Sequence, residues 1–113
     1  YPAKDTGLAE ISTLARDNGR FRAPTLRNIE VSAPYMHDGS IATLSEVLDF
    51  YAAGGRNSES GMYQGDGRNN PLKSPFVRGF EMSEQDKKDL LAFLLSLTDQ
   101  SFLTNEKFAP PYD

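Results

Sequence analysis

A chain of 113 residues is one domain's worth, able to bury a modest core and near the size at which a bound cofactor helps hold it together. Sixteen acidic against twelve basic residues leave a net charge of −4, with no basic run to follow a phosphate backbone, which argues against a nucleic-acid partner. The absence of cysteine excludes disulfides, thiol catalysis, zinc-thiolate sites and CxxCH haem attachment within the chain.

No apolar run approaches bilayer-spanning length, so no membrane partner is expected, and no signal peptide is visible. Tyr1 is not a translation start, and the expectation is a processed or excised piece. The apolar fraction of 38% is low for a globular chain, while aromatics reach 11%. A large non-protein group in the core fits that shortage, and so does ordinary loop-rich packing.

Residues 1–18 form a polar lead-in, in which Leu8, Ile11 and Leu14 support at most one short helical turn before Asp17-Asn18-Gly19. Pro24 favours extended backbone at Ala23, and Thr25 to Asn28 can then form one helical turn. Val31 to Tyr35 reads as extended, and His37-Asp38-Gly39-Ser40 as a turn. Thr43 and Glu46 stand at capping-box spacing, which starts a helix at Leu44. Leu44, Val47, Leu48 and Tyr51 follow at i, i+3, i+4 and i+7, one apolar stripe, so Tyr51 is expected to face inward with a buried hydroxyl that needs a partner. Gly54-Gly55 stops this helix.

Residues 56–79 are rich in Gly, Asn, Ser and Pro, and a loop this long inside a domain is usually functional or mobile. Asp66 to Asn70 is a poor match to a calcium loop, since it lacks alternating carboxylates and a closing Glu. Ser83 caps a second helix, with Glu84 and Asp86 in its first turn. Leu90, Leu91, Phe93, Leu94, Leu95 and Leu97 are too many for a narrow stripe, so this helix is expected to be buried on more than one side and to end near Thr98-Asp99. Residues 100–113 read as an irregular tail. With no alternating strand pattern, the fold class is all-α with long irregular loops.

The groups able to carry chemistry lie mostly between Phe21 and Tyr51. His37 is the single histidine, so a multi-histidine metal site is impossible, and it serves either as a structural turn residue or as a general acid or ligand. Arg22 and Arg27 flank Pro24 and either clamp an anionic group or pair with Glu30, Asp38 or Glu46. Met36, Met62 and Met82 are soft ligands in principle, though methionines mostly pack. Nothing supplies an activated nucleophile.

Three phrases, Phe21-Arg22-Ala23-Pro24-Thr25-Leu26-Arg27-Asn28, Ser32-Ala33-Pro34-Tyr35-Met36-His37-Asp38-Gly39-Ser40, and Thr43-Leu44 through Asp49-Phe50-Tyr51 with Gly54-Gly55, resemble the C-terminal haem domain of the bacterial di-haem cytochrome c peroxidase and MauG family. The run from Met82-Ser83-Glu84 to Leu97-Thr98-Asp99 is similar to that family's last helix. The match spans roughly Gly19 to Asp99 and is loose over 56–79.

The resemblance implies a cytochrome-c-like helical domain, here 1–113, around a haem c whose CxxCH lies outside the chain. It implies Tyr51 as the axial iron ligand where peroxidases of the family carry methionine, which is the MauG-like choice. A phenolate is a hard anion that favours oxidised iron, suiting such a haem to sharing oxidising equivalents with a neighbour. Arg22 and Arg27 would then meet haem propionates, while Leu26, Tyr35 and His37 would line the haem, and the carbonyls of Ser32 and Pro34 would serve a calcium ion. The implied activity is that of the electron-transfer half of a periplasmic peroxidase-type oxidoreductase. No catalytic residue lies in this chain on that view, since peroxide binds at a second haem in an N-terminal domain. The other partner would be an electron donor or protein substrate. Two rivals are a conventional di-haem cytochrome c peroxidase and a haem-free helical module for protein–protein contact.

Overall fold

The structure, a computed structural model, describes residues 5–61 and 64–109. Its centre is the seam between two capped helices, α2 (Leu44–Ala52) and α3 (Glu84–Ser96). Both begin as the sequence dictates. Thr43 Oγ1 accepts from the Glu46 amide and Ser83 Oγ from the Asp86 amide, and each acid reaches back to the cap residue's own amide. These reciprocal bonds satisfy donors that a helix start otherwise leaves open.

Leu44 and Leu48 of α2 are buried against Leu94 of α3, with Ile29, Tyr35, Met82, Leu91 and Leu97 packed around them. Burying each leucine contributes about 1.5–3 kcal/mol, which makes this seam a main source of the chain's packing energy. Lys87 Nζ reaches Asp49 across it at 2.6 Å and 2.8 Å. Asp49 is largely exposed, so the pair fixes alignment more than it adds stability.

A second join closes the molecule lengthwise. Asn28, with φ 58°, donates its amide to Leu97 O at 3.1 Å and accepts the Asp99 amide on Oδ1 at 2.6 Å. Thr98 Oγ1 donates to Glu30 Oε2. The segment 28–31, whose last three residues form a 3-10 turn (Ile29–Val31), is thereby stitched to the end of α3.

The lead-in contains one helical turn, α1 (Ala9–Ser12), and a 3-10 turn at Ala15–Asp17, folded back so that Leu8 N donates to Arg20 O. Val31 belongs to the 3-10 turn, so the predicted extended run is shorter than the sequence suggests.

Three expectations change. The class is not purely helical, because β1 (Asn57–Ser58) pairs antiparallel with β2 (Gly65–Asp66), Asn57 opposite Asp66. A two-residue pairing offers no alternation to read. Residues 100–109 are not irregular: Asp99 caps α4 (Gln100–Thr104), and a 3-10 turn follows at Glu106–Phe108. Finally, α3 is buried along one stripe only. Leu90, Phe93 and Leu95 stay exposed, because no further described element packs on that side. The radius of gyration, 16.7 Å, exceeds the roughly 13 Å of a compact domain this long. No helix among the described residues is long and apolar enough to cross a membrane.

Candidate functional site

Tyr51 lies one turn beyond Leu48 on α2, yet it is 44% exposed and its hydroxyl makes no hydrogen bond among the described residues. The expected burial of that hydroxyl is therefore overturned. The stripe that holds Leu44 and Leu48 against α3 runs past the seam at Tyr51, and no described segment covers the ring. The ring meets Phe50 edge-on at a centroid separation of 5.2 Å.

The phrase before α2 folds as a small hairpin. Tyr35 and Ile41 exchange backbone hydrogen bonds and enclose the turn at His37-Asp38. Within it, Asp38 accepts the Ser40 amide at 3.0 Å. Burial pushes the Asp38 carboxyl up, but the Ser40 bonds and the neighbouring His37 outweigh it, and the net shift is downward. His37 stacks on Phe21 with ring centroids 4.0 Å apart, which brings the first two matching phrases together. Its ring is exposed and bonds no carboxylate among the described residues.

Tyr35 is turned the other way. Its hydroxyl donates to the carbonyls of Ile29 and Glu30, at 3.0 Å and 3.3 Å, and its ring packs on the leucine core. Burial and the nearby Glu30 charge raise its pKa, so it stays a neutral donor. Tyr35 thus braces the 3-10 turn at Ile29–Val31 from inside the fold.

Arg22 and Arg27 are exposed, and neither forms an ion pair among the described residues. The acids expected to pair with them are otherwise engaged: Glu30 accepts from Thr98, Asp38 from Ser40, and Glu46 closes its capping box. Arg27 acts electrostatically on Asp99 instead, whose carboxyl is lowered first by the Ser101 hydroxyl and the Phe102 amide. Leu26 and Phe21 expose apolar surface beside these cations, at 46% and 40%. The carbonyls of Ser32 and Pro34 accept no hydrogen bond among the described residues. No hydrogen bond or ion pair joins Tyr51 to Arg22, Arg27 or His37 among the described residues, and each of the four is exposed.

Two shallow, open depressions lie elsewhere. One, of about 400 Å³, runs between Ser40, Glu46, Phe50 and Arg56, and another lies beside Phe80, Asp86 and Leu90. Sequence reasoning also missed Lys73, whose ammonium holds the Gly54 carbonyl just beyond α2, and the stitching role of Asn28. A lone lysine in a loop and an asparagine in a turn carry no signal of such partners.

Against solved structures, the chain superposes over its whole length on a MauG-like protein associated with microbial copper homeostasis, with a TM-score of 0.93 and 50% identity, matching 35% of that protein. It is 36% identical over 94 residues, 83% of the chain, to cytochrome-c peroxidase IdrP1 of Pseudomonas sp. (strain SCT), matching 22% of that protein. It is 38% identical over 77 residues, 68% of the chain, to the methylamine utilization protein MauG of Methylorubrum extorquens, matching 18% of it. The chain belongs to the MauG and di-haem cytochrome c peroxidase family. No family model matches it. It spans about a fifth to a quarter of the length of these curated relatives.

The family implies a c-type haem, and the residues present fit one wall of such a site. A phenol without a hydrogen-bond partner and two guanidiniums without an ion pair, all among the described residues, suit ferric iron and propionates, and exposed Phe21 and Leu26 suit a porphyrin face. Thioether attachment is outside the chemistry of these residues, since the chain has no cysteine.

Proposed function

We propose that this chain is the C-terminal electron-transfer half of a periplasmic MauG-like di-haem oxidoreductase, with 1–113 forming one cytochrome-c-like domain. The observation that carries the reading is the Tyr51 phenol, placed on the apolar stripe of α2 yet 44% exposed and without a hydrogen-bond partner among the described residues. Bound against this face, the haem supplies one-electron redox chemistry.

Tyr51 would hold the iron as phenolate, whose negative charge favours the oxidised metal. Arg22 and Arg27 would neutralise propionates and so orient the macrocycle. Leu26 would shield its face from water, and the stacked Phe21–His37 pair would sit at its edge, His37 as a hydrogen-bonding group. Tyr35, already bonded to Ile29 and Glu30, would support that edge from behind. The free carbonyls of Ser32 and Pro34 offer calcium two oxygens, and the remaining ligands would come from an N-terminal haem domain of the same protein. That domain would be the chief partner and the seat of peroxide cleavage, with an electron donor or protein substrate completing the reaction.

The test is an absorption spectrum with iron analysis of the intact protein, purified from a host that matures c-type cytochromes. A Soret band with two irons per chain is expected. Absence of iron would leave a haem-free interaction module as the reading. Similarity to a cytochrome-c peroxidase supports a second version, a conventional di-haem peroxidase. Rapid peroxide turnover with a reduced small cytochrome would favour it over the MauG-like one.

A further inference from the structure

We infer that Lys73 is a positioning residue for Tyr51, acting through the end of α2, and this inference rests on the ligand reading proposed above. The phenol makes no hydrogen bond among the described residues, so its place is set by the backbone that carries it. That backbone ends in a tightly held turn. Gly54 N donates to Tyr51 O and Gly55 N to Phe50 O.

The loop that follows is built onto this turn. Lys73 Nζ donates to Gly54 O at 2.9 Å and to Arg68 O at 2.6 Å, and it forms no ion pair among the described residues. Phe80 N donates to Ala52 O at 3.0 Å. The fit is close: a Cβ on Gly54, where φ is +71°, would come within 2.9 Å of the Arg78 carbonyl carbon, and one on Gly79 within 2.9 Å of Ala52 O.

Charge points the same way. The last turn of α2 contains no basic residue, although the partial negative charge of a helix end favours one there. Lys73 supplies that cation from 19 residues further along the chain. A loop lysine whose ammonium is committed to two main-chain oxygens, one of them three residues after a metal-binding phenol, fixes how far that phenol can retreat. Without Lys73, the turn keeps its helical hydrogen bonds and the Phe80–Ala52 bond but loses its charged tie to the loop. Tyr51 then holds iron less firmly against a competitor.

The experiment is a spectral titration of the intact haem protein with imidazole, following the signal that Tyr51→Phe abolishes. Lys73→Met should bind imidazole about tenfold more tightly than wild type, as expected for loss of a charged hydrogen bond behind the ligand. Lys73→Arg, which keeps charge and donors, should stay within about twofold of wild type. If Lys73→Met fails to take up haem, Lys73→Gln gives the reading instead, with a smaller shift in the same direction. A lysine variant that unfolds more easily but binds imidazole as wild type does would overturn the inference, leaving Lys73 a structural tie only. If Tyr51→Phe itself changes neither spectrum nor imidazole affinity, the ligand reading is what fails.

Discussion

Leu48 and Tyr51 stand three residues apart on one stripe of one helix, yet Leu48 is 8% exposed and Tyr51 44%. The first meets Leu94 across the α2–α3 seam, and the second meets Phe50 edge-on and leaves nearly half its surface open. The same contrast divides the whole chain. Leu44, Leu48 and Leu94 close a small core, while Ile11, Phe76 and Phe93 are 85%, 94% and 55% exposed. Helical periodicity identifies a face that will be covered. What covers it is a separate matter, and among the described residues Tyr51, Ile11 and Phe76 stay open.

The contrast is most sharply broken at Leu94. Leu94→Ala should destabilise the intact protein by about 2–5 kcal/mol in denaturant unfolding, through lost burial and the cavity left behind. Ile11→Ala sharpens the comparison: on a free surface it should cost less than about 0.5 kcal/mol. A cost rivalling that of Leu94→Ala would mean the lead-in is buried in the intact protein.

Asn28→Ala comes next. It removes the acceptor of the Asp99 amide and places a Cβ-bearing residue with no local polar compensation at φ 58°, for an expected loss of about 1–3 kcal/mol. Ser83→Ala and Thr43→Ala each remove one helix cap and should cost about 1 kcal/mol, read as a lower denaturation midpoint.

The smallest effect concerns acid. The carboxyls of Asp86 and Asp99 lie below the ordinary 3.8, held there first by the hydroxyls of Ser83 and Ser101. A depressed folded value means the stabilisation is complete above about 3.8 and fades as the pH falls through each group's own lower value. Ser83→Ala should flatten the Asp86 part of that decline in an unfolding series from pH 5 to pH 2. An unchanged slope would assign the decline to other carboxylates.

Much of this was legible in advance. Thr43 with Glu46, and Ser83 with acids in the next turn, announce helix starts because the cap and its partner are near neighbours in sequence. The family resemblance located Tyr51, Arg22, Arg27 and His37 on one continuous stretch. Contacts between distant residues were not legible. Phe21 stacks on His37 across sixteen positions, and Lys73 addresses backbone oxygens that every residue type possesses. The openness of Tyr51 was also hidden, since a stripe of four apolar positions looks the same whether its last member is covered or bare. The short α4 escaped notice because Gln100–Thr104 spans too few residues to establish a period.

The stitches between 28–30 and 97–99 join residues 68 to 71 positions apart. During synthesis, the segment that follows Pro24 leaves the ribosome long before Leu97, Thr98 and Asp99 exist to receive it. Tyr35 can brace its turn early, but the stitches to Leu97, Thr98 and Asp99 form only after α3 is complete, so that part of assembly runs against the order of translation. Bridging so many residues carries a large loop-closure entropy, and contacts of this separation slow folding. A ribosome-bound chain halted just before Leu97 should therefore leave Asn28 and Glu30 open to proteolysis, whereas a chain released a few residues beyond Asp99 should protect both.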